Sequence, residues 1–151
     1  MLDRRTLQRL SRESCPILEL LNLEILESEA GLLRASIPRI PLAGNHVGIL
    51  NAGALFALGE FIGGLVVASN LNEPERFQPV VRDVKIDFKA PATTDVIAEA
   101  FFSEDQASAM NAALMDSGRF DFSSNTIIKD ANQTTVAITD GSYALRNFLK
   151  T

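Results

Sequence analysis

The sequence has a single cysteine, Cys15, and a single histidine, His46. One cysteine cannot form a disulfide within the chain, and these two residues are too few for a zinc site built from nitrogen and sulfur ligands. A Ser-His-Asp hydrolase would depend on His46, and no G-x-S-x-G segment is present to display a serine. We interpret His46 as a loop residue and Cys15 as a small apolar filler.

Basic residues are outnumbered, with 14 Lys and Arg against 19 Asp and Glu and a net charge of -5. Nucleic-acid binding needs a basic surface that replaces counterions, so this balance argues against a nucleic-acid partner. The glycine-rich motifs of dinucleotide and mononucleotide folds are missing as well. Without a secretory signal pattern or a possible internal disulfide, we expect a cytoplasmic protein.

No linker, repeat or low-complexity segment divides the 151 residues, which predicts one domain over 1–151. The apolar periodicity predicts an amphipathic helix containing Leu2, Leu7 and Leu10 and ending before Pro16. The remaining predicted elements are a hairpin of strands over 21–25 and 33–37, a loop over 38–48, a helix over 51–69, strands over 80–89 and 95–103, a helix over 103–116 with a Ser103–Gln106 capping box, and strands over 120–129 and 134–146. Strands on both sides of one very apolar helix predict an α+β fold, with an antiparallel sheet wrapped around that helix.

The helix over 51–69, with Asn51 as its expected N-cap, contains one ionisable residue, Glu60. Its length approaches the roughly 20 residues of a membrane span. A central carboxylate is costly in lipid, and neither flank supplies a Lys or Arg anchor, so we predict no membrane span.

Helical geometry places small residues beside Glu60 and large ones opposite. The Glu60 side contains Gly53, Phe56, Ala57, Gly63, Gly64 and Val67, and the far side contains Leu55, Leu58, Ile62 and Leu65. We expect the large side to pack on the sheet and the small side to leave room for a ligand or another backbone. A carboxylate there would titrate high and suit a general base or nucleophile, unless a hydrogen bond or an arginine such as Arg82 satisfies it.

The segment NHVGILNAGALFALGE, residues 45–60, resembles the signature N-x-x-G-[ST]-x-H-G-G-[AV]-x-x-x-[LA]-x-[DE] of hotdog-fold acyl-CoA thioesterases of the phenylacetate-pathway type. The resemblance implies a hotdog fold and homodimers, often paired into tetramers. It also implies hydrolysis of acyl-CoA thioesters without a metal or cofactor, coenzyme A being part of the substrate. Glu60 takes the place of the catalytic acid, and Asn45, Gly48 and Gly53 match their family positions.

Three positions depart from the family pattern. Asn51 replaces the usual histidine, Ala52 replaces the first glycine, and Val81 occupies a strand position that often carries Ser or Thr. The sequence is similar to a divergent, poorly characterised thioesterase-like branch in which asparagine stands at this place.

Asn51 and Glu60 are nine residues apart, about 13.5 Å along a helix. One helix therefore cannot direct both its first amides and its own Glu60 at one carbonyl. We expect a dimer in which Glu60 of one subunit acts with the Ala52 and Gly53 amides of its partner, which would hold the oxyanion. Asn45 or Asn51 would orient water or the carbonyl.

The expected substrate-binding residues are Gly48, Phe56, Val81 and Arg82. Coenzyme A phosphates would need basic partners, and the candidates are Arg39, Arg82, Lys85, Lys89 and Arg146. For Lys85 and Lys89 a solvated strand face is the favoured role.

Two other functions stay open. A non-catalytic module that binds acyl-CoA or fatty-acyl groups is favoured by the missing His and Ser/Thr. A hotdog dehydratase would deploy a histidine together with an acid, whereas His46 precedes the helix.

Overall fold

The helix that carries Glu60, α3 (Ala52–Ala68), packs against one side of an antiparallel sheet in the computed structural model, which describes residues 1–147. The sheet has six strands in the order β1-β2-β4-β5-β6-β3. Their bounds are β1 (Glu24–Glu29), β2 (Leu32–Ile37), β3 (Gln78–Phe88), β4 (Val96–Phe101), β5 (Arg119–Asp130) and β6 (Thr135–Arg146). The α+β architecture predicted from the sequence is confirmed, and positions 148–151 of the predicted domain lie outside the described residues.

The other α-helices among these residues are α1 (Arg4–Ser14), α2 (Pro16–Leu20) and α4 (Glu104–Ser117). The predicted capping box opens α4, where the Ser103 and Gln106 side chains each accept a hydrogen bond from the other residue's backbone N–H. Gly118 ends this helix in the left-handed conformation that glycine adopts without strain.

The large residues of α3 form much of the core. Leu55, Leu58 and Ile62 are buried, as the helical periodicity predicts, and they pack within one cluster that includes β-strand residues such as Leu33 and Val96. Removing this surface from water is the main stabilisation of the helix, since a fully buried leucine or isoleucine contributes about 1.5–3 kcal/mol.

The first predicted strand begins later than expected. Leu21 belongs to the turn after α2, and β1 starts at Glu24. Pro16 stands at the first position of α2, where its fixed φ and missing N–H favour a helix start. The apolar alternation from Leu21 therefore reflects burial after a short helix, and the prediction of a strand there is wrong.

A β-bulge in β3 changes which side chains face α3. The β3–β6 register shifts between Val81 and Asp83, so that Val81 pairs with Tyr143 and Val84 with Gly141. Directly paired residues lie on the same face of a sheet, which places Val81 on the α3 side and Val80 on the outer side. The predicted face of Val80, Val84, Ile86 and Phe88 is therefore wrong at Val80, because the extra residue, Arg82, reverses the alternation.

The two edges of the sheet differ. At β1 the Gln8 side chain of α1 accepts from the Ile25 N–H at 2.6 Å and donates to the Leu23 carbonyl at 2.9 Å. The free edge of β3 carries exposed apolar side chains, with Val81 48% and Phe88 52% exposed. Such an edge is a template for pairing with another strand.

Within residues 1–147, no helix is long and apolar enough to cross a membrane.

Candidate functional site

Glu60 lies near the middle of α3 with its side chain partly buried. Burial raises the pKa of its carboxyl group above the ordinary value of 4.5. Among residues 1–147 this carboxylate has neither an ion-pair nor a hydrogen-bond partner. Arg82, the arginine considered for that role, instead pairs with Asp121 at 3.3 Å. Glu60 is thus a partly desolvated carboxylate whose oxygens accept no hydrogen bond from the described part of the chain.

Two hydroxyl groups from the sheet hold the backbone of α3 at this point. The Tyr143 phenol donates to the Glu60 carbonyl at 2.8 Å, and the Thr126 hydroxyl donates to the Gly59 carbonyl at 3.0 Å. Burial and the nearby Glu60 carboxylate raise the pKa of Tyr143, so the phenol keeps its proton at neutral pH. Sequence reasoning missed Tyr143, although it is the only tyrosine in the chain.

The small residues of α3 do not leave an open gap on the sheet side. A Cβ on Gly59 would lie 2.4 Å from a methyl carbon of Thr139, and one on Gly63 would lie 2.6 Å from the Tyr143 hydroxyl oxygen. The expectation that Gly63 and Gly64 leave room beside the carboxylate is therefore wrong. They are small because β6 side chains fill the space against them.

The start of α3 presents two free backbone donors. The Asn51 Oδ1 atom accepts from the Ala54 N–H at 2.7 Å, as expected of an N-cap, and the amides of Ala52 and Gly53 keep no partner among the described residues. Both residues are exposed. Together with the positive end of the helix dipole, these amides can stabilise a developing negative charge.

Asn51 has a second task, in which its Nδ2 group donates to the carbonyls of Ala43 at 3.0 Å and Gly44 at 3.3 Å. The side chain therefore fastens the preceding loop to the helix start while it caps the helix. Its amide is already fully engaged, which leaves little capacity to orient a water molecule.

The loop before α3 is organised by Asn45 and Gly48. The Asn45 Oδ1 atom accepts from the Val47 N–H at 3.0 Å and the Ile49 N–H at 3.3 Å. Gly48 has a φ of +81°, which favours glycine, and its carbonyl accepts from the Arg39 guanidinium. Asn45 and Gly48, which match the family signature, thus form a tight turn that is hydrogen-bonded to Arg39. This turn leads to the amides of Ala52 and Gly53 at the start of α3.

Phe56 lies one turn before Glu60 and is 39% exposed. We define the open face as the exposed apolar side chains of Phe56, Val81 and Phe88 together with the Glu60 carboxylate. Its α3 and β3 parts are held next to each other, since Val81 pairs with Tyr143 and Tyr143 contacts Glu60. Phe56 and Glu60 therefore lie one turn apart on α3, and Val81 lies on the strand next to the tyrosine that contacts the Glu60 backbone.

Arg82 is not part of this group. It pairs with Asp121, whose other oxygen accepts from Arg146 at 2.6 Å. The hydrogen bond from Arg146, together with the charges of Arg82 and Arg119, lowers the pKa of the Asp121 carboxyl group. Because Asp121 alternates with the core residue Phe122 along β5, this cluster lies on the outer face of the sheet.

Two of the other candidate cations also have partners of their own. Lys85 pairs with Asp87 at 3.3 Å, and Arg39 is bound to Gly48. In the part of the chain that the structure describes, no three His, Cys, Asp or Glu side chains form a group that could hold a metal ion.

The fold is the hotdog fold, shared with solved structures of thioesterases. Residues 4–142 match the family model described as a domain of unknown function, DUF4442, and the chain belongs to this family. No curated protein matches the chain.

Three similar structures illustrate the relation. A Pseudomonas aeruginosa protein of unknown function, called a probable thioesterase, is 26% identical with a TM-score of 0.85, covering 97% of each chain. A Haemophilus influenzae thioesterase is 18% identical with a TM-score of 0.78, covering 99% of this chain and 94% of its own. A second P. aeruginosa thioesterase is 16% identical with a TM-score of 0.78, covering 98% and 96%. The last two likenesses concern the fold alone.

Proposed function

We propose that the protein is a homodimeric acyl-CoA thioesterase in which Glu60 of one subunit acts with the Ala52 and Gly53 amides of its partner. The observation that carries the proposal is the unpartnered, partly buried Glu60 carboxylate on an otherwise apolar open face. A raised pKa brings a carboxylate closer to the working range of a general base at neutral pH.

In the proposed reaction, Glu60 takes a proton from water as the water oxygen forms a bond to the thioester carbonyl carbon. The carbonyl oxygen becomes an oxyanion and accepts hydrogen bonds from the two amides of the partner helix. When the tetrahedral intermediate collapses, the C–S bond breaks, and the leaving sulfur of coenzyme A receives the proton held by Glu60. Direct attack by Glu60 on the carbonyl, followed by hydrolysis of the resulting anhydride, has the same overall balance.

A second subunit is required because the Ala52 and Gly53 amides lie about 10.5–12 Å from Glu60 along the axis of their own helix. Two antiparallel helices related by a two-fold axis would bring the start of each beside the middle of the other. The exposed apolar side chains of β3, Val81 and Phe88, support an interface at this edge. Pairing of two such dimers through other surfaces would give the tetramer that the family resemblance implies.

The other site residues receive roles from their contacts. Asn51 positions the oxyanion amides by capping the helix, and Gly48 with Arg39 sets the turn before it. Asn45 keeps its Nδ2 group available to orient water or the carbonyl, since only its Oδ1 atom is used in the loop. Phe56 and Val81 contact the acyl group, and Arg82 remains a candidate for the phosphates of coenzyme A from the outer face.

The comparison supports the choice of chemistry, since the P. aeruginosa protein called a probable thioesterase covers 97% of this chain at 26% identity. As part of the proposal, we assign the same class of reaction, thioester hydrolysis, to this chain.

The test is thiol release from a panel of acyl-CoAs by the wild type and by Glu60→Gln. Loss of a general base lowers kcat by about 10²–10⁴-fold. Glu75→Gln, an exposed site outside the open face, is the matched control and should keep wild-type rates. Undiminished release by Glu60→Gln would refute the role of this carboxylate.

A non-catalytic acyl-CoA binding module is the second candidate. It is favoured by Asn51, whose side chain is occupied by capping, and by Val81, which offers no hydroxyl group to water. Calorimetric binding of an acyl-CoA without thiol release by the wild type would establish this alternative.

A further inference from the structure

We infer that Tyr143 is a specificity-determining residue that closes the space between α3 and the sheet to the acyl group. The inference rests on the proposed thioesterase function and adds to it the location and length limit of the acyl group. Tyr143 is 2% exposed and lies directly behind the proposed reaction centre.

The Tyr143 ring occupies a slot that three glycines make possible. A Cβ on Gly63 would meet the phenol oxygen at 2.6 Å, and one on Gly64 would meet a ring carbon at 3.3 Å. On the sheet side, a Cβ on Gly141 would lie 2.5 Å from the ring. Side chains at these positions would displace the ring, so helix and strand together provide a space that one aromatic side chain fills.

This slot adjoins Glu60, since the phenol donates to the Glu60 carbonyl at 2.8 Å. Its further wall is apolar: the Phe122 ring stacks on Tyr143 with centroids 5.0 Å apart and planes 8° from parallel. On β5, Ser124 pairs with Gly141, and its buried hydroxyl has no partner among the described residues. A chain entering beside Glu60 would therefore find mainly apolar walls if the ring were absent.

The ring thus leaves the acyl group only the open face of α3, at the subunit contact. Shortening the side chain should open a chamber bounded by Gly63, Gly64 and Gly141 directly behind the carboxylate. Large-to-small changes in cores leave such cavities because the surroundings relax only in part, and apolar cavities bind apolar ligands. A straight acyl chain could then extend inward.

The experiment compares kcat/KM for octanoyl-CoA and acetyl-CoA in the wild type, Tyr143→Ala, Tyr143→Leu and Tyr143→Phe. A buried methylene contributes about 0.8 kcal/mol, close to fourfold, so burying two should raise the octanoyl-to-acetyl ratio by more than about tenfold in Tyr143→Ala. Tyr143→Leu should give a smaller rise. Tyr143→Phe, which keeps the ring and loses only the hydroxyl group, should keep the wild-type ratio.

A second measurement does not depend on hydrolysis. The melting temperature is measured with each thioester in the Glu60→Gln background. When Tyr143→Ala is added, octanoyl-CoA should raise the melting temperature more than acetyl-CoA does. When Tyr143→Phe is added, this difference should not appear. An unchanged ratio and an unchanged melting difference in folded Tyr143→Ala and Tyr143→Leu would overturn the inference. If no variant releases thiol but octanoyl-CoA still stabilises Tyr143→Ala selectively, the thioesterase proposal fails and the role of Tyr143 stands.

Discussion

At the scale of single residues, the site consists of one carboxylate and the groups that hold its backbone. Thr126 and Tyr143 of the sheet hydrogen-bond to the main chain at Gly59 and Glu60, and the Glu60 side chain has no partner within residues 1–147. A side chain held in this way is free to contact a substrate while its position along the helix is fixed.

The pH dependence of activity follows from the raised pKa of Glu60. A general base acts in its deprotonated form, so kcat/KM should rise with pH along a limb whose midpoint lies above the ordinary carboxyl value of 4.5. Rates of thiol release from pH 4 to 9 measure this midpoint. A midpoint at or below 4.5 would contradict the environment described for Glu60.

The same shift predicts how Glu60 affects stability. The pKa of the Glu60 carboxyl group is higher in the folded state than in the unfolded state, so the unfolded state loses the proton at lower pH. The protonated group therefore contributes to the free energy of unfolding at low pH, and this contribution is lost as the pH rises from 4.5 through the folded pKa. Glu60→Gln removes this titration. Urea unfolding should therefore show that the free energy of unfolding of Glu60→Gln, relative to that of the wild type, is higher at pH 7 than at pH 4. An equal difference at the two pH values would contradict the raised pKa of Glu60.

Asn51 can be tested separately from Glu60. Asn51→Ala removes the cap at Ala54 and the two bonds to the loop, and loss of an N-cap alone costs about 0.5–2 kcal/mol. Chemical denaturation should show a loss in this range or above it. Asn51→Ser can still cap the helix but cannot donate to both loop carbonyls, so its free energy of unfolding should fall by less than that of Asn51→Ala. Equal losses in the two variants would mean that the cap contributes nothing.

At the scale of elements, local signals predicted most of the secondary structure. The N-cap at Asn51, the capping box of α4 and the two strands β5 and β6 with the turn between them each depend on residues close in sequence, and the structure confirms them. The bulge at Arg82 depends on the β3–β6 register, which no short segment of sequence reveals. Tyr143 was missed because its relation to Glu60 spans 83 positions and appears only when β6 packs under α3.

The contact between α3 and β6 at Gly59 gives an element-scale prediction. Gly59→Ala would bring its Cβ within 2.4 Å of a Thr139 methyl group, and such overpacking costs about 1–3 kcal/mol. In a Thr139→Ala background the methyl and hydroxyl groups are gone, and the nearest remaining atom of residue 139 is its own Cβ, 3.3 Å from the added Cβ. A double-mutant cycle from urea melts should therefore find the two changes less destabilising together than the sum of the single variants. Strict additivity would mean that the contact is not tight.

At the scale of the whole molecule, the proposed dimer depends on the β3 edge and the open face. Val81→Asp would place a charge among the exposed apolar side chains there. We expect light scattering to show a monomer and thiol release to fall with it, because each site of the proposed dimer needs both subunits. The control is Leu20→Asp, because Leu20 is 61% exposed and lies on α2 and not on β3. This variant should keep both the dimer and the activity. A Val81→Asp monomer with full activity would contradict the shared site.

The Gln8 side chain sets a limit on how large such an assembly becomes. By taking up an N–H and a carbonyl beside β1, it stands in for the strand that would otherwise join there. A sheet with two unprotected edges could add further molecules at both ends and grow into a fibre. With the β1 edge covered, the proposed pairing at β3 would end at two molecules.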